Sequence, residues 1–356
     1  MRRTGPSRFP AWFEEEPLGI WAYAGRRLIQ SIVVLFIVSV ATFAMVMAVP
    51  GDPVTTLLGE RAANNPEIRA AAERKYGLDQ PAPVQYLRWI SNVLRGDFGD
   101  SISTRRPVVT DLRQFVPGTI ELSIAALLFG LVFGLPLGLV AAIKRDRWPD
   151  HIARFISLFG TSVPVFWLGL LLLYIFFYKL QWLPGPGRLN TGMKAPEPIT
   201  GMITVDSALR GQWDVFKASV LHMILPAVVL GSFSLGVISR MLRSSLVAAL
   251  SDDYVRTARA KGVAERGVVI SHALRNALIP TVTVLGLTFA SLLAGAVLTE
   301  TIFSWPGIGR YSVTAALKLD YPALLGVVMF VAAAYVLVNF IVDIVYGLLD
   351  PRIRIS

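Results

Sequence analysis

Cysteine is absent, and histidine occurs only at His151, His222 and His272. The first absence excludes disulfides and thiolate metal sites. The second leaves no His-x-x-x-His pair, so a zinc centre is not expected. Charge is sparse as well: 16% of the 356 residues are charged, against 54% hydrophobic. That length would suit one large or two ordinary soluble domains, but the apolar content is too high for either. There is no phosphate loop of the form G-x-x-x-x-G-K-[ST], so any use of ATP must come from another polypeptide. No repeat of roughly 20–50 residues is visible, which excludes a solenoid. No Ser/His/Asp arrangement or paired carboxylates point to an intramembrane hydrolase.

What the chain does have is long apolar runs. A bilayer core of about 30 Å needs roughly 20 apolar residues at the helical rise. Six runs qualify, at about 28–49, 119–143, 155–178, 220–238, 279–303 and 323–349. The expected fold class is therefore an all-α integral membrane protein with six transmembrane helices. The first run is too long for a signal peptide and is followed by further spans. The net charge of +10 would suggest nucleic acid in a soluble protein. Here it fits Lys/Arg-rich loops retained in the cytoplasm, and no nucleic-acid recognition fold accompanies it.

Residues 1–27 read as a cytoplasmic tail whose Trp and Phe residues suit either the lipid interface or a loosely ordered segment. The span at 28–49 ends in PGDP. Residues 50–117 form a polar insertion with two helical stretches, ERAANNPEIRAAAERKYGL and QYLRWISNVLRGDFG, expected on the outer face. Residues 118–349 hold the remaining spans, and 350–356 form a short tail. Pro164 inside the third span removes a backbone donor and predicts a bend, which a packed bundle tolerates.

Orientation follows from the short loops. KRDRWPDHIAR carries four basic residues, the 239–278 loop seven and the 304–321 segment two. The nine in 50–117 count for little, because long loops translocate largely regardless of charge. Both termini and the 239–278 loop are therefore expected in the cytoplasm.

That loop contains DYVRTARAKGVAERGVVISHALRNALIP, residues 253–280, with five basic residues and two acids. Read as a helix, its first part places Tyr254, Ala258 and Gly262 on one face. Arg256, Arg259 and Lys261 flank it, and Gly262 is placed to end it. A second helical segment leads to Pro280. A short helix with a small-residue face and flanking cations suits a groove on a cytoplasmic partner. The alternative is a solvated loop whose cations merely obey the inside rule.

The same residues resemble the EAA loop of ABC importer permeases in its peptide/nickel form. Asp253 to Gly262 and His272 to Pro280 match that form nearly completely. Arg256 and Thr257 stand where the general EAA pattern has Glu and Ala, and the spacing from Gly262 to Pro280 is longer than in sugar permeases. Both departures are usual in the peptide/nickel branch. YGLDQPAPVQYLRW, GDFGDS, TIELS, WLPGPG, ETIFSWPGIGR and the closing DPR also resemble, in order, the B-type permeases of dipeptide/oligopeptide systems.

The resemblance implies a type I ABC importer transmembrane fold in a bacterial inner membrane. It implies a second homologous permease subunit, two ATP-binding subunits below and an extracytoplasmic substrate-binding protein. This chain would then be no enzyme and bind no cofactor, with ATP and Mg held by the partners. The helix at 253–262 would be the coupling helix. Asp253, Tyr254, Arg256, Thr257, Ala258, Arg259, Lys261 and Gly262 are its candidate docking residues, with Arg275 and Asn276 expected to brace the loop. Substrates within the branch include dipeptides, oligopeptides, nickel chelates, glutathione-like peptides and some oligosaccharides; peptide is the expectation here.

Four further residues are candidates for the translocation path: Ser162, Pro164, Glu300 and Asp343. Asp343, inside the sixth span, suits a substrate or proton role or a bond to a neighbouring helix. Glu300 suits bracing of the external gate. Ser162 and Pro164 suit lining of the path. Glu121 is expected near the positive end of its own helix. Trp167, Phe176, Phe177 and Tyr178 are expected to face lipid. A stand-alone secondary transporter or channel would need mid-membrane charges and inverted repeats, and a membrane scaffold would not need the 253–280 segment.

Overall fold

The computed structural model describes residues 20–48, 55, 64–76 and 79–349. Residues 1–19 of the expected 1–27 tail, the PGDP segment and the tail at 350–356 lie outside the described residues, and residues 20–27, expected as tail, are instead the start of the first helix. Among the described residues the secondary structure is helical apart from one isolated bridge, Asp100 to Pro107. The helices are α1 Ile20–Ala48, α2 Pro66–Tyr76, α3 Ala82–Leu94, α4 Val108–Ile143, α5 Trp148–Ser162, α6 Val165–Leu172, α7 Ile203–Leu209, α8 Trp213–Ser251 and α9 Asp253–Ala260. After a short turn at Glu265–Gly267 and a π-helical stretch, Val268–Leu274, come α10 Arg275–Gly295, α11 Val297–Ile302, α12 Ile308–Leu317 and α13 Tyr321–Leu349. Five helices are long and apolar enough to cross a bilayer, or six if α5 and the helix after it count as one broken span.

The bundle is organised by α4 against α8. Bilayer lipid is as apolar as leucine, so helices in it associate by close packing of small residues. Gly130, Gly134 and Gly138 form such a stripe on α4. A Cβ at Gly130 would lie 2.7 Å from that of Ser234, and one at Gly138 would lie 2.7 Å from the Ser239 carbonyl oxygen. Gly231 returns the contact, 2.7 Å from the Ala126 carbonyl oxygen by the same measure. α10 and α13 complete the inner bundle, and α1 lies against α13. α3 docks on α1 through Tyr86 and Trp89, whose rings gather around Phe43. The hydroxyls of Ser39 and Tyr86 are 2.8 Å apart.

The third span departs from expectation. It is not one bent helix but two, meeting at 102°. The cause is local. Val163 precedes a proline, which disfavours the helical region for it, and it adopts an extended conformation with ψ 129°. α5 therefore ends before Pro164, and α6 starts after it. α5 runs antiparallel along α8, with Ser157 against Gly236 and Gly160 against Ser232.

Two other boundaries move. α4 begins at Val108, within the expected insertion. α8 runs for 39 residues, about 58 Å at the helical rise, far more than a bilayer core requires. Residues 239–251, expected to open a loop, are its continuation. The 239–278 region is thus largely helix, a rigid extension of the bundle rather than a flexible tether.

Candidate coupling site

α9 sits at the end of that extension, and its burial pattern is one-sided. Val255 and Ala258 point inward and pack with Leu242, Leu246, Ala249, Val268 and Ala273. Asp253, Tyr254, Arg256, Thr257, Arg259 and Lys261 are exposed. The inward pair are three residues apart, as helical geometry requires for a shared face. Ala142 of α4 joins the same cluster, so α9 rests on α8 and the π-helical stretch in a core that α4 shares.

This corrects the expected face. Ala258 is turned into the chain's own core and is not available to a partner groove. Tyr254 is 37% exposed, so it and Ala258 do not form one outward surface. Gly262 has φ +78°, and a Cβ there would meet nothing within 4 Å. Its requirement is conformational rather than steric. The Val263 N–H donates to the Ala258 carbonyl at 3.2 Å and the Gly262 N–H to the Arg259 carbonyl at 3.0 Å. This pair of bonds is the Schellman closure, which needs a left-handed residue at the glycine position. Arg275 and Asn276 are exposed and make no hydrogen bond to the loop among the described residues. The bracing comes instead from the apolar cluster around Val268 and Ala273.

The surface of α9 is partly self-paired. Arg259 donates to both carboxylate oxygens of Glu265, at 2.8 and 3.1 Å. Arg256 lies 3.3 Å from Asp253. These loop pairs are in water and contribute little to stability.

At the far end of the bundle a second polar set closes the structure. Glu300 is fully buried. It accepts a hydrogen bond from Thr119 at 2.6 Å and one from the Arg310 N–H at 3.0 Å, so it caps the start of α12. A side chain at Gly307 would collide with its carboxylate. Trp305 donates to the Gly118 carbonyl at 2.8 Å. These bonds fit the bracing role expected of Glu300. Asp343 pairs with Arg27 of α1 at 2.6 Å, the helix-tying alternative. Ser162 and Pro164 are exposed beside the α5/α6 break. Trp167, Phe177 and Tyr178 are exposed, whereas Phe176 packs into the cluster around Phe303.

Glu121 is not near a helix start, because α4 begins thirteen residues earlier, at Val108. It is a buried anchor for the outer loop. It accepts from Arg188 and from the hydroxyl of Thr204, and from the Thr204 N–H at 2.7 Å. The Arg188 guanidinium also lies over the Trp305 ring, 5.2 Å from its centroid. Sequence reasoning missed this anchor, and it missed a second ion pair between Asp150 of α5 and Arg243 of α8. The small-xxx-small run of Gly130, Gly134 and Gly138 was also missed, although its spacing alone signals close helix packing.

What the geometry provides is mechanical: a short helix with an exposed charged face, packed by its apolar side against the end of a long span, α8. Residues 134–355 match the family model described as "Binding-protein-dependent transport system inner membrane component", and residues 21–125 match "Binding-prot-dependent transport system membrane comp, N-term". The "Probable D,D-dipeptide transport system permease protein DdpB" of Escherichia coli (strain K12) is 45% identical over 94% of this chain and 97% of that protein. The "Di/tripeptide transport system permease protein DppB" of Pseudomonas aeruginosa (strain UCBPP-PA14) is 47% identical over 94% and 98%. The "Dipeptide transport system permease protein DppB" of Escherichia coli (strain K12) is 45% identical over 89% and 94%. With its helical bundle and relatives matched almost end to end, the chain belongs to the inner membrane components of binding-protein-dependent transport systems, and is a membrane-spanning permease subunit of an ABC importer.

Proposed function

We propose that this chain, paired with a second homologous permease subunit, forms the translocation path for di- or oligopeptides. The three relatives above carry peptide substrates in their names, which supports that substrate class. Two ATP-binding subunits drive the cycle, holding the ATP and Mg that this chain does not, and an extracytoplasmic binding protein delivers the peptide. The chain itself catalyses nothing. Both termini and α9 face the cytoplasm, in keeping with the basic residues of KRDRWPDHIAR and 239–278.

The observation that carries the reading is α9. Its apolar side is spent on its own bundle, and its charged side is left outward. A surface of this kind fits a groove on another protein. Asp253, Tyr254, Arg256, Thr257, Arg259 and Lys261 are the docking residues in this reading, and Gly262 sets the turn that presents them. Ser162 and Pro164 border the path at the α5/α6 break, while Glu300 and Asp343 hold the bundle around it.

The test is reconstitution of the purified assembly with its binding protein in proteoliposomes. The ATPase subunits should co-purify with this chain, and labelled dialanine should accumulate only with ATP. Transport by the chain without an ATPase, or failure of an α9 charge-reversal variant to loosen the ATPase subunits, would overturn the reading.

A further inference from the structure

We infer that Asp150 and Arg243 form the staple that makes the third span follow the coupling helix. The inference rests on the coupling reading of α9 and adds to it a route by which movement reaches the translocation path. Asp150 is fully buried. Arg243 grips it with two hydrogen bonds, Nε to Oδ1 at 2.7 Å and Nη2 to Oδ2 at 2.7 Å. The Asp146 N–H donates to Oδ2 at 2.9 Å, and Arg154 lies 3.5 Å from Oδ1. A two-point guanidinium–carboxylate contact fixes orientation as well as distance.

The rest of the α5–α8 contact explains why a fixed point is needed. It is made of small residues in close approach. A Cβ at Gly160 would lie 2.5 Å from the Ser232 carbonyl oxygen, and one at Gly236 would lie 2.5 Å from that of Ser157. Such a surface is smooth and sets no register by interlocking side chains. Register comes from polar contacts: Asp150 with Arg243, Ser157 with Ser239 at 3.1 Å, and Arg240 with Thr161 at 2.9 Å. The ion pair is the strongest of these and lies nearest to α9, two turns before the end of α8.

A push on α9 is carried by α8 through packing, since Val255 and Ala258 share one apolar cluster with Leu242, Leu246 and Ala249, and only the extended Asp252 separates the two helices. With the staple closed, α5 moves with α8. The break at Val163–Pro164 then converts that movement into a swing of α6, because the chain there is extended and free of helical bonds across the joint. With the staple open, α8 slides past α5, and Ser162 does not report the state of the ATPase subunits.

The experiment uses the whole assembly in proteoliposomes. The chain has no cysteine, so Ser162→Cys gives a single thiol on it, and its maleimide labelling rate is compared with and without ATP and vanadate. The native staple should give an ATP-dependent rate. The Asp150→Asn/Arg243→Gln double variant removes both charges together, so no orphan ion is buried. It should retain its ATPase subunits and ATP hydrolysis, yet lose the ATP-dependent change at Ser162. In a second variant, Asp150→Cys/Arg243→Cys bridged by a short reversible bis-thiosulfonate linker, ATP-dependent uptake of labelled dialanine should match that of the native protein, and reductant should lower it. An unchanged ATP response in the neutral double variant overturns the staple alone, as does its failure to assemble, which would assign the pair to folding. Absence of any ATP response with the native pair overturns the coupling reading itself.

Discussion

Arg259 closes on Glu265 across the turn that ends α9, with its Nη2 2.8 Å and its Nε 3.1 Å from the two carboxylate oxygens. Between them Gly262 takes φ +78°. The clip and the glycine do one job: they reverse the chain tightly enough for Val268 to reach the cluster that seats α9. The sequence motif that names the loop is thus largely a folding instruction for a turn.

Gly262 should therefore respond to backbone preference and not to bulk. Gly262→Asn keeps access to the left-handed region, whereas Gly262→Val pays for it, at about 1–2 kcal/mol. The asparagine variant should retain its ATPase subunits on purification, and the valine variant should lose most of them. Equal loss in both would show that the glycine fits a partner surface instead.

The helical character of the loop was legible because its signals are local: helix formers, a one-sided pattern and a glycine at the stop. The apolar runs were equally legible. Their lengths were not, because charge inside a helix looks like the end of a span. Arg240 and Arg243 sit in the last third of helix α8, satisfied by Thr161 and Asp150 of a neighbour. Glu121 and Arg188 meet across 67 residues of sequence, and no periodicity announces such a pairing. Pro164 is legible as a disturbance, but its full strength lies in its effect on the preceding Val163, which it excludes from the helical region and so turns a bend into a break.

Gly138 tests the α4–α8 packing. A Cβ there would lie 2.7 Å from the Ser239 carbonyl oxygen and 3.1 Å from the Leu242 Cβ, both on a helix that cannot shift without disturbing α9. Gly138→Val should destabilise the detergent-solubilised protein by about 1–3 kcal/mol, the usual cost of overpacking. Gly25→Ala, inside α1 where the added atom meets nothing within 4 Å, should hold or raise the melting temperature, since alanine is the better helix former. Similar melting for all three proteins would remove the glycine stripe from the account of the fold.

Asp343 carries the choice between proton chemistry and helix tying. Its pairing with Arg27 at 2.6 Å links α13 to α1. Both side chains are partly exposed, so the contribution should be modest, about 1 kcal/mol or less. Asp343→Asn should lower thermal stability slightly and leave ATP-dependent uptake intact, including when a protonophore is present. Abolished uptake in a variant that still folds and binds its ATPase subunits would return Asp343 to the translocation path.

Asp320 gives the outer segment a dependence on acid. Burial by itself would raise its carboxyl, but hydrogen bonds from Ser101 and Ser103 outweigh burial and hold it below the usual carboxylate range. The Ser101 hydroxyl donates at 2.6 Å, the Ser103 hydroxyl at 2.8 Å and the Ser103 N–H at 2.9 Å. The folded value lies under the unfolded one, so the charged form contributes stability that is fully present above the unfolded value. It is lost as pH falls through the folded value. The loss should begin below about pH 4, where an unfolded aspartate takes up its proton. Melting of the solubilised protein between neutral pH and pH 3 should therefore steepen in acid, and Asp320→Asn should be less stable at neutral pH with a flatter acid limb. Parallel limbs for the two proteins would mean that the loop at 101–104 is held to α13 by something other than this carboxylate.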